Sequence, residues 1–108
     1  MKIWLDDTRT PLDSSWVWVK SAQAIIDMLS NPELDIEQIS LDHDLGDEEL
    51  YGNGYQVLLY IEERVFTDKD YAPPRVFIHT ANPVAMQKMK SALTTIYKKR
   101  ENNAQKST

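Results

Sequence analysis

Apolar positions in this chain fall into short runs that stop abruptly at polar residues. Lys2-Ile3-Trp4-Leu5 ends at Asp6-Asp7. Trp16-Val17-Trp18-Val19, rich in β-branched and aromatic residues, reads as a strand. Between them Thr8 to Ser15 has the composition of a loop. Ser21 then caps a helix in which Ala22, Ile25, Ile26 and Leu29 recur at helical spacing, and Asn31-Pro32 stops it. Ile39-Ser40-Leu41 is a third run, ending in Asp42-His43-Asp44-Leu45-Gly46, and an acidic, Gly-containing loop follows from Asp47 through Gly54. Val57, Leu58, Ile61 and Val65 mark a second helix face, and Pro73-Pro74 resets the chain. Arg75 to Ile78 is a fourth run, ending in His79-Thr80. Asn82 as cap and Pro83 as first residue start a third helix, with Met86, Met89, Leu93, Ile96 and Tyr97 on one face. Beyond Lys98 the chain turns polar; the expectation is one domain over residues 1–100 and a flexible polar tail over 101–108.

Strands alternating with single helices imply right-handed crossovers and a parallel sheet. Ligands of such sheets bind at the carboxyl ends of the strands. Three runs end in unusual polar clusters there: Asp6-Asp7, Asp42-His43-Asp44 and His79-Thr80. Both histidines of the chain occupy such positions. A single aspartate after a strand often only caps a turn. Two acidic clusters on neighbouring strands repel one another in a low-dielectric setting, and a bound cation is the simplest resolution. Mg²⁺ or Mn²⁺ accept oxygen ligands and keep some waters. The residues therefore point to a metal site built from Asp6, Asp7 and Asp42 or Asp44. Arg9, on the loop after the carboxylates, is placed either to contact phosphate or to pair with acid. His79 precedes a helix start where an anion can sit. Trp4, Trp16 and Trp18 alternate within strands and are read as core; the methionines of the last helix are core at helical spacing.

The chain has 108 residues, 42% hydrophobic and 27% charged, as for an ordinary single globular domain. It has no cysteine, which removes disulfides, thiolate metal sites and cysteine nucleophiles. Twelve basic against seventeen acidic residues give a net charge of -5, which argues against broad binding of nucleic-acid backbones and permits metal ions and small ligands. No apolar run approaches the ~20 residues of a membrane span, so a cytoplasmic protein without a membrane association is expected. Asp42-x-Asp44 with Gly46 hints at a calcium loop but lacks the third ligand before the glycine and the glutamate at position twelve. No phosphate-binding GxxxxGK[ST] or GxGxxG occurs.

Taken together, these residues resemble a response-regulator receiver over nearly the whole chain. Ile3-Trp4-Leu5-Asp6-Asp7 looks like the first receiver strand with its acidic pair. Ile39-Ser40-Leu41-Asp42 looks like the strand bearing the phosphoacceptor, and Val76 to Ala81 like the strand ending in the switch threonine. A short loop replaces the first receiver helix, and the fifth strand with its lysine is missing. The combination of Asp6-Asp7-Thr8-Arg9, Leu41-Asp42-His43-Asp44-Leu45-Gly46 and His79-Thr80-Ala81-Asn82-Pro83 is similar to the cyclic-phosphate processing receiver-like family of small bacterial and phage proteins. A haloacid-dehalogenase-like phosphatase also ends one strand in DxD, but here neither the following Gly-Thr nor a late acidic motif is present.

The resemblance implies an α/β fold: a small flavodoxin- or receiver-like three-layer sandwich with a mostly parallel four-stranded sheet, order 2-1-3-4, truncated relative to a full receiver. It implies a divalent-metal-dependent phosphoesterase acting on a cyclic phosphate or cyclic nucleotide. Asp6, Asp7 and Asp42 would hold Mg²⁺ or Mn²⁺. His43 and His79 would share the roles of acid and base, with Asp44 orienting His43 or the metal shell. Thr80, Asn82 and Arg9 would bind the phosphate of a small phosphorylated substrate. A 2′,3′-cyclic terminus, a cyclic mononucleotide, a cyclic oligonucleotide and an ADP-ribose cyclic phosphate all fit. The alternatives are a phosphoacceptor signalling module using Asp42 and a catalytically inactive interaction module. An exposed sheet edge also invites a homodimer.

Overall fold

Strand and helix follow one another as the apolar runs dictate. The computed structural model describes residues 1–106. Strands β1 (Lys2–Leu5), β2 (Trp16–Val19), β3 (Gln38–Leu41) and β4 (Arg75–Ile78) form one sheet in the order β2-β1-β3-β4, with every pair parallel. Helix α1 (Ala22–Leu29) links β2 to β3, and α3 (Gly54–Thr67) links β3 to β4. Helix α4 (Pro83–Lys106) follows β4. This is a receiver-like α/β fold. The acidic loop after β3 contains a one-turn helix, α2 (Glu48–Tyr51), that periodicity could not reveal; Asp47 caps it by accepting from the Glu49 N–H.

The direction of each connection decides which face is covered. The steps from β2 to β3 and from β3 to β4 cross the sheet the same way, so right-handed crossovers put their helices on one face. Ile3, Leu5, Ile39, Leu41 and Val76 point to that face. They form one core with Ala22 and Ile25 of α1, Val57, Leu58, Ile61 and Val65 of α3, and Met89, Ala92 and Ile96 of α4. Full burial of each such Ile or Leu is worth about 2 kcal/mol. The step from β1 to β2 runs the opposite way and lands on the other face. It is a loop, so the third layer is thin there. The Trp4 indole N–H donates to the Arg9 carbonyl at 2.9 Å, tying the loop down over that face.

Two expectations from sequence need correction. Of the three tryptophans, only Trp4 is buried; Trp16 is half-buried and Trp18 is exposed. None joins the core cluster, because all three alternate onto the face that lacks helices. The polar C-terminal stretch, expected to be a flexible tail over 101–108, is helical through Lys106. Asn103 is buried and its amide donates to the Val65 carbonyl at 2.8 Å, which anchors the last turns of α4 to the end of α3. Residues 107 and 108 of the expected tail lie outside the described residues. Among the described residues no helix is long and apolar enough to cross a membrane.

One polar atom is stranded. The Tyr71 hydroxyl is buried without a hydrogen-bond partner among the described residues, and burial raises its pKa, partly opposed by the Arg64 guanidinium 4.3 Å from the ring. An unsatisfied buried hydroxyl costs about 1–3 kcal/mol. Tyr71→Phe keeps the ring and its cation–π contact and is expected to raise the melting temperature by about 4 °C or more. A lower melting temperature would mean that the hydroxyl has a partner.

Candidate metal and phosphate site

Strand register builds the site. The ladder ends on the row Leu5, Val19, Leu41 and Ile78. Its bonds then run one residue further: Asp6 N–H donates to Val19 O, Asp42 N–H to Leu5 O, and His79 N–H to Leu41 O. The next row across the carboxyl edge is therefore Lys20, Asp6, Asp42 and His79. By alternation its side chains share the face of Trp4, Ser40 and Phe77, the face without helices. Neighbouring strands lie about 4.8 Å apart, so these polar groups crowd together.

Asp6 is fully buried and fully engaged. Its Oδ1 accepts from the N–H groups of Thr8 and Arg9, both at 2.9 Å, which folds the chain back at the start of the loop. Its Oδ2 lies 3.0 Å from His79 Nε2 and 3.4 Å from Arg9 Nε. Burial opposes ionisation of Asp6, but the two backbone N–H groups and His79 outweigh it and hold the carboxyl below the ordinary aspartate range. Burial likewise lowers the His79 pKa, against the pull of Asp6 and Asp42. The net effect favours the neutral ring. A carboxylate only accepts, so Nε2 carries the proton and donates to Asp6; Nδ1 then accepts from the Ser40 hydroxyl at 2.8 Å. The ring also stacks on Trp4, with centroids 3.9 Å apart and planes 8° from parallel. Both nitrogens of His79 are committed and its plane is fixed.

Carboxylate oxygens of Asp6, Asp7 and Asp42 all lie within 4.8 Å of one another. Asp6 and Asp42 are buried and Asp7 is half-buried. Arg9 Nη2 stands 3.9 Å from Asp42 Oδ1, and Asp42 Oδ1 accepts from the His43 N–H at 2.8 Å. Three converging carboxylates with one arginine leave unbalanced negative charge. That donor set, all oxygen and partly open, fits Mg²⁺ or Mn²⁺. Asp7 makes no hydrogen bond or ion pair among the described residues. Gly46, at φ 85°, turns the chain beside it: a Cβ there would stand 3.7 Å from Asp7 Oδ2.

The other expected site residues are placed differently. His43 Nδ1 lies 2.8 Å from Asp44 Oδ1, while the ring makes no hydrogen bond with Asp6, Asp7 or Asp42. Its Nε2 has no partner among the described residues. Asp44 is exposed and its backbone bridges to Asn53. Thr80 is buried, and its hydroxyl accepts from the Asn82 N–H at 3.2 Å. The Asn82 side chain is spent on capping α4, accepting from Val84 and Ala85 at 3.1 Å. Sequence reasoning passed over Ser40 and Gly54. Ser40 was marked only by being polar inside an apolar strand. Gly54, whose N–H donates to the His43 carbonyl at 3.0 Å, looked like loop composition.

A family model described as the cyclic-phosphate processing receiver domain matches residues 1–95. No curated protein and no solved structure matches the chain.

Proposed function

The chain belongs to the cyclic-phosphate processing receiver family, and from that premise we propose that it is a divalent-metal-dependent phosphoesterase that opens a cyclic phosphate. The observation that carries this reading is the meeting of Asp6, Asp7 and Asp42 oxygens within 4.8 Å at the carboxyl edge, with the Arg9 guanidinium beside them. Asp6, Asp7 and Asp42 would hold the ion. When bound, Mg²⁺ or Mn²⁺ neutralises the carboxylates, polarises a phosphate oxygen and acidifies a water.

In ring opening, water oxygen bonds to phosphorus and the bond from phosphorus to one of the two ester oxygens breaks. One proton of the water passes to that oxygen, leaving a phosphomonoester and a hydroxyl. This chain offers His43 for the proton transfer: Nδ1 is held by Asp44 and Nε2 is free to carry the proton. His79, with Ser40 behind it, holds the buried Asp6 in place, as outer partners of a metal ligand do. Arg9 sits on a loop, half-exposed, and is free to turn toward a phosphate oxygen. The phosphoacceptor reading would also use Asp42. Among the described residues, however, β4 is the edge strand, so no fifth strand brings a lysine beside Asp42.

The test is a set of cyclic phosphates incubated with and without Mn²⁺. Metal-dependent ring opening is expected, and His43→Gln should lower kcat about 100-fold or more while Mn²⁺ still binds. Absence of turnover with metal, together with stable modification of Asp42 by acetyl phosphate, would replace the enzyme with a signalling module.

A further inference from the structure

The sheet face that carries the candidate site also carries an apolar groove of about 300 Å³, lined by Trp4, Leu12, Trp16, Gln38, Phe77 and His79, among others. Its origin is legible in the register. Trp4, Ser40 and Phe77 stand side by side on β1, β3 and β4. The small Ser40 between two aromatic residues leaves a trough. Trp16 meets Trp4 edge-on, with centroids 5.8 Å apart and planes at 74°, and closes one side with Leu12 of the β1–β2 loop. Phe77 forms the other side. Leu12 and Phe77 are 79% and 43% exposed, a poor arrangement for aliphatic and aromatic side chains that have nothing to cover.

Two features say what covers them. The groove adjoins the site through one residue: His79 lines it and donates to Asp6. The row of Trp4, Ser40 and Phe77 lies two residues before the row of Asp6, Asp42 and His79. That is about 7 Å along the strands, near the separation of a ribose-borne phosphate from the ring of its base. The second feature is Gln38. Gln38 is half-buried and lines the groove, and its side-chain amide has no hydrogen-bond partner among the described residues. An amide offers one acceptor and two donors in a plane, which suits the edge of a heteroaromatic base.

Resting on the phosphoesterase reading, we propose that this groove takes the base of a nucleoside cyclic phosphate. The base lies between Trp16 and Phe77 with its edge toward Gln38, and the cyclic phosphate lies at Asp6, Asp7 and Asp42. The substrate class is then a cyclic phosphate whose own ribose bears the base, not a base-free one. Stacking on aromatic side chains tolerates any base, so the groove selects for a base more than among bases.

The experiment compares adenosine 2′,3′-cyclic phosphate, adenosine 3′,5′-cyclic phosphate and glycerol 1,2-cyclic phosphate on the full chain with Mn²⁺. The wild-type protein is expected to prefer one adenosine compound over the glycerol compound by at least tenfold in kcat/KM. Phe77→Ala and Gln38→Ala should each reduce that preference, Phe77→Ala by about tenfold. Equal turnover of all three compounds, with the same ratio in both variants, would overturn the groove assignment and leave the phosphoesterase standing. If no compound is turned over, the phosphoesterase reading falls, and the groove is judged by binding alone. Titration of tryptophan fluorescence with the adenosine compounds should then show saturable quenching that weakens about tenfold in Phe77→Ala. No quenching, or quenching indifferent to both substitutions, ends the proposal. Circular dichroism of each variant confirms that the sheet has formed.

Discussion

Asp7→Asn is expected to make the metal-free protein more stable and to abolish its stabilisation by Mn²⁺. Asp7 is the one member of the carboxylate cluster with no hydrogen bond or ion pair of its own among the described residues, so the amide forfeits no internal contact. Its oxygen lies within 4.8 Å of those of Asp6 and Asp42. Two like charges at such a separation repel by roughly 3 kcal/mol at an effective dielectric constant near 20. Water reaching the half-exposed Asp7 and the neighbouring Arg9 offset most of that. A gain of about 1 kcal/mol is the expected remainder, or about 4–8 °C in a domain of this size. Mn²⁺ at a hundredfold excess over its Kd adds about 2.7 kcal/mol to the wild-type protein. That corresponds to about 10 °C or more. With one of the three proposed ligands neutral, the increment should all but vanish. The two effects have opposite signs, and a merely structural aspartate would produce neither. Melting curves with and without Mn²⁺ decide the matter. An equal Mn²⁺ shift in wild type and Asp7→Asn would remove Asp7 from the site, and no shift in either would remove the metal.

The carboxyl edge was legible because four strands are short and each gives way at once to polar residues. Leu5 is followed by Asp6, Val19 by Lys20, Leu41 by Asp42 and Ile78 by His79. Parallel register does the rest: equal four-residue strands place those four residues in one row. The caps at Ser21 and Asn82 follow from local chemistry and needed no tertiary information. The one-turn α2 did, since four residues show no period. So did the fate of the tryptophans. Alternation says that Trp16 and Trp18 share a face, but which face lies under helices depends on the direction of each crossover. The histidines carry the same lesson. Both stand in polar clusters at strand ends, yet Ser40 and Trp4 immobilise His79 from two other strands, whereas His43 has only its neighbour Asp44. Neither distinction is written in the spacing of His43 and His79.

Gly54→Ala is expected to cost about 3 kcal/mol and to weaken Mn²⁺ binding at the proposed site, although Gly54 brings no side chain to it. Ordinarily alanine is the better helix former by about 1 kcal/mol. Here Gly54 opens α3 directly against the exit of β3. A Cβ would overlap the Asp42 carbonyl oxygen, stand 2.9 Å from the Asp42 carbonyl carbon and 3.0 Å from Met89 Cε. The methionine can swing away; the backbone cannot. Asp42 N–H is committed to Leu5 O at 3.0 Å, and the Gly54 N–H to His43 O at 3.0 Å. Relief therefore requires either α3 to lift off the core, where Val57, Leu58, Ile61 and Val65 are fully buried, or the Asp42 peptide to leave the ladder. The first loosens the core and the second moves a carboxylate of the cluster. Overpacking of this kind costs about 1–3 kcal/mol when side chains can adjust, and the upper end applies where they cannot. A fall in melting temperature of about 12 °C or more follows. Gly46→Ala is the control: it meets only an ordinary contact with Asp7 and bears the strain of its positive φ alone, about 1 kcal/mol. Gly54→Ala melting no lower than Gly46→Ala, with Mn²⁺ affinity intact, would show that α3 does not hold Asp42 in place.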